Sequence, residues 1–268
     1  MSLFDSFFKK SKLDKAVKQA AKARKREGAE ADHLFKAAYE GFAEVIANDL
    51  LYTETLYNWG FALLHQAKTK TGDEAIKLYE EAIAKFSFCQ TVNPSALGAA
   101  IDGGVAYMDL ARIKGVEPAD DLYEMAKQQF QQANSIQKGT ASYNLACIFA
   151  LRNEEEACLN ALEDSREHGS LPSNDDILND PDIDNVKHHH WFMDFMASLK
   201  NPEASAESEV AAEPEASVET DTDVKAEATT EPETEIKAEA AAESETETKP
   251  ETVAELETEI KPEPPAKS

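Results

Sequence analysis

The sequence predicts an all-α protein, a solenoid of three to four helical hairpins with an N-terminal basic helix and a disordered acidic C-terminal tail. Apolar residues recur at helical spacing through the middle of the chain, where glycine and proline are sparse and no alternating, strand-like segment occurs. Related patterns return along the chain, as in "LYNWGFALLHQA" and "SYNLACIFALR". The formal net charge of -25 is also unevenly distributed, and it divides the chain into three segments.

The three segments differ in charge and in apolar content. Residues 1–28 form a basic amphipathic arm that includes the first helix, and residues 29–200 form the solenoid with a C-terminal capping helix. Residues 201–268 are rich in Glu, Ala, Pro and Thr and contain no aromatic residue. Because such a segment buries too little apolar surface to offset the entropy of ordering, we predict that this tail is disordered.

Small residues recur where the two helices of each predicted hairpin would meet. Their small side chains would let the helix axes approach closely, while large apolar residues one turn away, Tyr79 and Phe130, would fill the remaining space. The small residues are Gly60, Gly104 and Ala146 on the first helices and Ala75, Ala126 and Ala157 on the second helices.

This pattern resembles the tetratricopeptide repeat (TPR), with a degenerate first copy ahead of three fuller copies. The intervals between the small residues are longer than in a regular array, and the irregular spacing also resembles the plant-type mitochondrial import receptor, which carries extended repeats. The segment after the third copy is similar to the end of many bacterial repeat arrays, where an Asp-Pro-Asp turn leads into a capping helix. Its apolar residues would cover the open end of the solenoid; they are Trp191, Phe192, Phe195, Met196 and Leu199.

The resemblance implies a binding groove, because in this family the first helices of successive repeats line a concave surface that receives peptides or helices. The implied groove residues are Tyr57, Asn58, Phe61, His65, Ile101, Asp102, Val105, Tyr143, Asn144 and Cys147. With Glu54, Asp102 and Asp109 beside aromatic residues, such a groove should prefer an apolar or basic helix or peptide. The alternative is that several of these residues only pack beneath the long inserts. We expect a non-enzymatic scaffold or assembly factor that binds another protein.

The N-terminal arm carries a second candidate contact surface. Its members are Leu3, Phe4, Phe7, Phe8, Lys9 and Lys10, in which the apolar residues share one helical face and lysines follow. The arm could lie on an anionic membrane, bind the protein's own acidic regions, or contact a partner. Residues 12–26 could simply pack as the first helix of the solenoid. A membrane-peripheral adaptor anchored by the arm is therefore the alternative function.

The motifs of several other function classes are incomplete or missing. The sequence contains no Gly-rich phosphate loop, nucleophile elbow or HExxH motif, so we expect no catalytic residues, no metal and no cofactor. "DPDIDN" begins like a calcium loop, but Trp191 stands where the bidentate Glu should be. The three His residues 188–190 would point in different directions on a helix. The acidic core and tail should repel nucleic acid.

The three cysteines, Cys89, Cys147 and Cys158, form no CxxC pattern, and an odd number suggests reduced thiols. No apolar run approaches the length that spans a bilayer. We therefore expect a cytoplasmic location, with a position peripheral to the inner face of a membrane as the alternative.

Overall fold

The computed structural model describes residues 3–49 and 52–200, and the side chains from residue 10 onward within those ranges. Every regular element in these ranges is helical, which confirms the all-α prediction. The predicted disordered tail, residues 201–268, lies outside the described residues. The helices are α1 (Leu3–Ala23), α2 (Gly28–Ile46), α3 (Thr53–Ala67), α4 (Gly72–Val92), α5 (Leu97–Lys114), α6 (Asp121–Ile136), α7 (Ser142–Leu151), α8 (Glu155–Glu167), α9 (Asn174–Asn179) and α10 (His190–Lys200), with a 3-10 turn at Pro181–Ile183.

Consecutive helices pack as hairpins: α1 with α2, α3 with α4, α5 with α6, and α7 with α8. Each hairpin also contacts the next, and α3 contacts both α1 and α5. In the described ranges the chain is therefore a helical-hairpin solenoid of four units, with α1 and α2 as the unit predicted to be degenerate. The first helices of neighbouring hairpins lie side by side, so residues on α1, α3 and α5 can share one surface.

Glycines allow close helix contact within the hairpins, as the sequence predicts. A Cβ atom on Gly104 would lie 2.4 Å from the ring of Phe130, so the ring occupies the space of the missing side chain. Gly60 has the same relation to Phe86, at 2.8 Å. The partner of Gly60 is thus a ring two turns beyond Tyr79, which is itself buried in the same hairpin.

The longest interval within a predicted repeat, from Gly104 to Ala126, is accommodated by a long helix and an ordered turn. Helix α5 continues to Lys114 and ends at Gly115, which adopts the left-handed conformation with φ 63°. Asp120 then caps α6 by accepting a hydrogen bond from the backbone N–H of Leu122. The insert therefore forms the end of α5 and the turn before α6, and the two helices still pack as a hairpin.

The C-terminal end of the solenoid is closed by the chain itself. We call residues 174–187, which comprise α9, the 3-10 turn and the turn after it, the closing segment. Its Ile177, Ile183 and Val186 are fully buried against the last hairpins. On α10, Phe192, Phe195 and Met196 are buried, whereas Trp191 and Leu199 are half-buried. This apolar layer covers the end of the core, as terminal caps of repeat proteins must.

Candidate functional site

Three rings form a row along α3. Tyr57, Phe61 and His65 are spaced four residues apart, so they lie above one another on one face of the helix. The ring centroids of Tyr57 and Phe61 are 6.0 Å apart, and those of Phe61 and His65 are 4.4 Å apart in an edge-on arrangement. All three side chains are half-buried. This aromatic row therefore brings three of the predicted groove residues together on a partly accessible apolar surface.

The aromatic row is joined to α5 through Tyr57. The Tyr57 hydroxyl donates a hydrogen bond to Asp102 at 3.0 Å. The ring also lies where a side chain on Gly98 would be, since a Cβ there would be 2.9 Å from it. Burial raises the pKa of Asp102 above its ordinary value, and the hydrogen bond from Tyr57 partly opposes that shift. Gly98 belongs to this surface although nothing in the sequence marks it.

At the other side, the aromatic row meets a cation from the first hairpin. The guanidinium of Arg24 lies 5.0 Å from the centroid of the Phe61 ring, within the range of a cation–π contact. Burial lowers the pKa of His65, and the positive charges of Arg24 and Lys68 lower it further. Sequence reasoning missed Arg24, because it follows α1 as one of several basic residues and only the packing brings it to Phe61.

Three other predicted groove residues on α3 and α5 pack against the core or form a hydrogen bond within their own helix. Ile101 and Val105 on α5 are half-buried and pack against the apolar core. Asn58 donates from its side-chain amide to the carbonyl oxygen of Glu54 in its own helix at 2.7 Å. The open part of the predicted groove therefore consists mainly of the aromatic row and Asp102.

The acidic residues of the predicted groove have partners. Asp109 forms an ion pair with Arg112 and lies 3.4 Å from the ammonium group of Lys68. Glu54 accepts a hydrogen bond from the hydroxyl of Tyr52 at 2.9 Å. The negative character expected from Glu54, Asp102 and Asp109 is thus offset locally by Lys68 and Arg112, and by Arg24 on the far side of the aromatic row.

The predicted groove residues on α7 lie beneath the closing segment. The hydroxyl of Tyr143 donates a hydrogen bond to Asp180 at 2.9 Å, and the Sγ atom of Cys147 is 3.7 Å from the same carboxylate. Cys147 is only 3% exposed, and burial raises the pKa of its thiol well above the usual range. Asn144 is half-buried. The structure therefore places Tyr143 and Cys147 in an internal contact with the closing segment.

Arg112 completes this contact by binding Asp182. Its guanidinium donates two hydrogen bonds to the Asp182 carboxylate, one of them at 3.3 Å. Cys147, Asp180 and Asp182 also present possible metal-ligand atoms within 4.8 Å of one another. Because Tyr143 and Arg112 already engage the two carboxylates, the arrangement is well explained as a hydrogen-bonded closure of the inner surface.

The described structure gives only part of the N-terminal arm. The backbone of residues 3–10 belongs to α1, and Lys10 is exposed. The side chains of Leu3, Phe4, Phe7, Phe8 and Lys9 lie outside the described residues. Among the helices of the described ranges, none combines the length and the apolar character that crossing a bilayer requires.

Comparison with known families identifies one similarity. Residues 28–155 match the family of the plant-specific mitochondrial import receptor subunit TOM20. This match extends from α2 to the start of α8, slightly less than half of the chain, and it includes the aromatic row. It agrees with the resemblance to the plant-type import receptor, and it does not support the expected bacterial type of array. A search of curated proteins finds no match.

Proposed function

We propose that the protein is a non-enzymatic protein-binding module, whose aromatic row binds the apolar face of a helix or peptide from another protein. The observation that carries this proposal is the accessible row of Tyr57, Phe61 and His65 between two charged groups, Arg24 and Asp102. Aromatic side chains supply much of the binding energy at protein interfaces, because they bury a large area at a small entropic cost.

The form of this surface favours a helix or an extended peptide as the ligand. The row runs along α3 for about two turns, and a bound helix presents apolar residues at the same spacing. Since Asp109 is neutralised by Arg112 and Lys68, the apolar rings set the preference, and a basic residue of the ligand would have Asp102 as its partner. The ligand we propose is therefore an amphipathic segment with an apolar stripe, with basic residues tolerated at its edge.

Similarity to a receptor family supports the same type of activity. The matching family is a subunit of an import receptor, and the matched residues 28–155 contain α3 and α5, which carry the aromatic row and Asp102. We propose a receptor or scaffold role on this basis, in a cytoplasm-like compartment where the buried Cys89, Cys147 and Cys158 stay reduced. Catalysis forms no part of this proposal.

Binding of defined peptides tests the proposed site. Two fluorescent peptides of about 15 residues, roughly four helical turns, share one composition of Leu, Lys and Ala; one places leucines on a single helical stripe and the other scrambles them. Fluorescence anisotropy with the full-length chain should show binding of the striped peptide at least tenfold tighter. Because the two peptides carry the same charge, attraction to the acidic regions of the chain cannot produce this difference.

Two variants test whether the striped peptide binds at the aromatic row. Phe61→Ala removes the central ring and should weaken binding of the striped peptide by about tenfold or more, the effect of losing an interface anchor. Met193→Ala is the matched control, because Met193 is an apolar side chain on α10 that is 51% exposed. Equal affinity for both peptides, or equal losses in the two variants, would contradict the proposed site.

A further inference from the structure

Helix α1 exposes a row of lysines on the face that points away from the solenoid. Lys15, Lys18 and Lys22 are exposed, and within the described part of the chain they form no ion pair. Lys12, on another side of the helix, differs because it pairs with Glu44 of α2 at 3.0 Å. In a protein with a net charge of -25, this basic row is a local surface of opposite sign. Asp14, also exposed, is an acidic residue at the edge of the row.

The opposite face of α1 is fully used for packing. Leu13, Ala16, Ala20 and Ala23 are buried, and the Cα and Cβ atoms of Ala16 contact the position of Gly41 on α2. At about 100° per residue, these positions form a single stripe, and the lysine row lies on the other side of the helix. The lysines can therefore contact another body without disturbing the hairpin.

The register of α1 places apolar positions on the lysine side. The helix is continuous from Leu3, so positions 4 and 7 precede Lys15 and Lys18 by about three turns and fall on the same face. The sequence places Phe at both positions, and a third Phe, Phe8, comes directly after position 7. The positions that continue the packing stripe are instead Asp5 and Lys9, which are polar. The apolar positions of the arm are thus in register with the exposed side of α1.

The beginning of α1 also extends past its partner helix. Lys12 is paired with Glu44, and Ala16 lies against Gly41, so the two helices run antiparallel. Helix α2 ends at Ile46, two residues after Glu44. The backbone of residues 3–9 of α1 therefore continues beyond the last turn of α2.

We propose that the exposed face of α1 docks on an anionic lipid bilayer, with the Phe-bearing first turns at the membrane interface and Lys15, Lys18 and Lys22 on the lipid headgroups. A combination of aromatic residues and clustered lysines on one helical face is the chemistry that an anionic bilayer recognises. A nucleic acid would use the lysines but not the apolar positions, and it would be repelled by the rest of this acidic protein.

Vesicle flotation with the full-length chain tests this inference. Vesicles of phosphatidylcholine alone are compared with vesicles that contain phosphatidylserine as well. The chain should bind the anionic vesicles and not the neutral ones, and salt should weaken the binding by screening the lysines. Absence of binding to anionic vesicles, or equal binding to both kinds, would overturn the proposal.

Charge-reversal variants show whether α1 is responsible. The triple variant Lys15→Glu, Lys18→Glu, Lys22→Glu should bind anionic vesicles at least a hundredfold more weakly, since each headgroup contact contributes about fivefold or more. The matched control is Lys36→Glu, Lys77→Glu, Lys138→Glu, which changes the net charge equally at exposed positions outside α1. Equal losses in the two variants would overturn the assignment to α1. The triple Lys→Gln variant at positions 15, 18 and 22 repeats the test if charge reversal perturbs the helix.

The contribution of the N-terminal Phe residues to vesicle binding is tested separately from that of the lysines. Phe4→Ser with Phe7→Ser should weaken vesicle binding while leaving binding of the heparin polyanion unchanged. If heparin binds but vesicles do not, or if this variant binds vesicles as well as the parent chain does, the lipid assignment is wrong. Binding of the striped peptide to the aromatic row should be unaffected by these variants, so the two proposals can fail independently.

Discussion

The hydroxyl of Tyr143 on α7 donates a hydrogen bond to Asp180, 37 positions later in the chain, at 2.9 Å. Two residues further on, Asp182 binds Arg112 of α5. The closing segment is therefore held to two hairpins by specific polar contacts in addition to its buried Ile183 and Val186. Polar contacts of this kind fix where a segment lies, because a shifted segment would leave partly buried charges unpaired.

Loss of Arg112 should destabilise the fold more than loss of the Asp182 charge. Arg112→Met leaves Asp182 without its cation and leaves Asp109 with Lys68 alone, at an expected cost of about 1–3 kcal/mol in the free energy of unfolding. Asp182→Asn should cost less, because burial already raises the pKa of this carboxyl and disfavours its charged form. Urea unfolding followed by circular dichroism measures both values. Equal costs would contradict this account.

Two adjacent glycines on α5 should respond differently to alanine. Gly104→Ala places a Cβ 2.4 Å from the Phe130 ring and should destabilise the protein by about 1–3 kcal/mol through overpacking. Gly103→Ala brings its Cβ to 3.2 Å from the side-chain oxygen of Gln129, which can move, and alanine favours the helix. Thermal unfolding of both variants gives the comparison, and a Gly104→Ala protein as stable as Gly103→Ala would refute the packing argument.

The hairpins could be predicted from the sequence because their determinants are local. Gly60 and Gly104 mark helix faces by their position among apolar residues, and the rings opposite them lie only one helix away. The same holds for the capping helix, whose Phe192 and Phe195 are recognisable from helical spacing. Periodicity reports which face is buried, and short connections then fix the partner.

The inner surface could be predicted only in part, because its contacts join distant positions. The sequence indicates that Tyr57 and Phe61 lie on one face, but nothing in it brings Arg24 to that face. The resemblance placed Tyr143 and Cys147 in an open groove. The structure covers them with Asp180, through a contact that depends on how the closing segment folds back. Periodicity predicts which face of a helix is apolar. It does not predict which later segment of the chain will cover that face.

His65 should titrate below its ordinary pKa of 6.5, because burial and the charges of Arg24 and Lys68 disfavour the imidazolium. A histidine with a lowered pKa in the folded state makes the fold less stable as the pH falls, since the unfolded chain binds the proton more readily. In Arg24→Gln the pKa of His65 should rise toward the ordinary value. Titration of the His65 ring by NMR measures this change. An unchanged pKa would mean that Arg24 does not lie beside the aromatic row.

The contact between Asp32 and Lys70 should make the junction of the first two hairpins sensitive to acid. Lys70 donates to Asp32 at 2.8 Å, Gln66 donates to the same carboxylate at 3.0 Å, and both bonds lower the pKa of Asp32. A carboxyl whose pKa is lowered by folding stabilises the fold at pH values above its ordinary pKa. This contribution is lost as the pH falls through the pKa of the folded state.

Lys70→Met should therefore raise the pKa of Asp32, as measured by NMR, and should reduce stability at neutral pH more than near pH 3. Lys77→Met is the control, because Lys77 is exposed on α4 and forms no ion pair within the described ranges. The Lys70 variant should differ from this control at neutral pH, and the difference should shrink as Asp32 becomes protonated. If the difference in stability between the two variants is the same at neutral and acidic pH, Lys70 acts through packing of its aliphatic chain and not through the carboxylate. Only an ionic contact is lost when Asp32 becomes protonated.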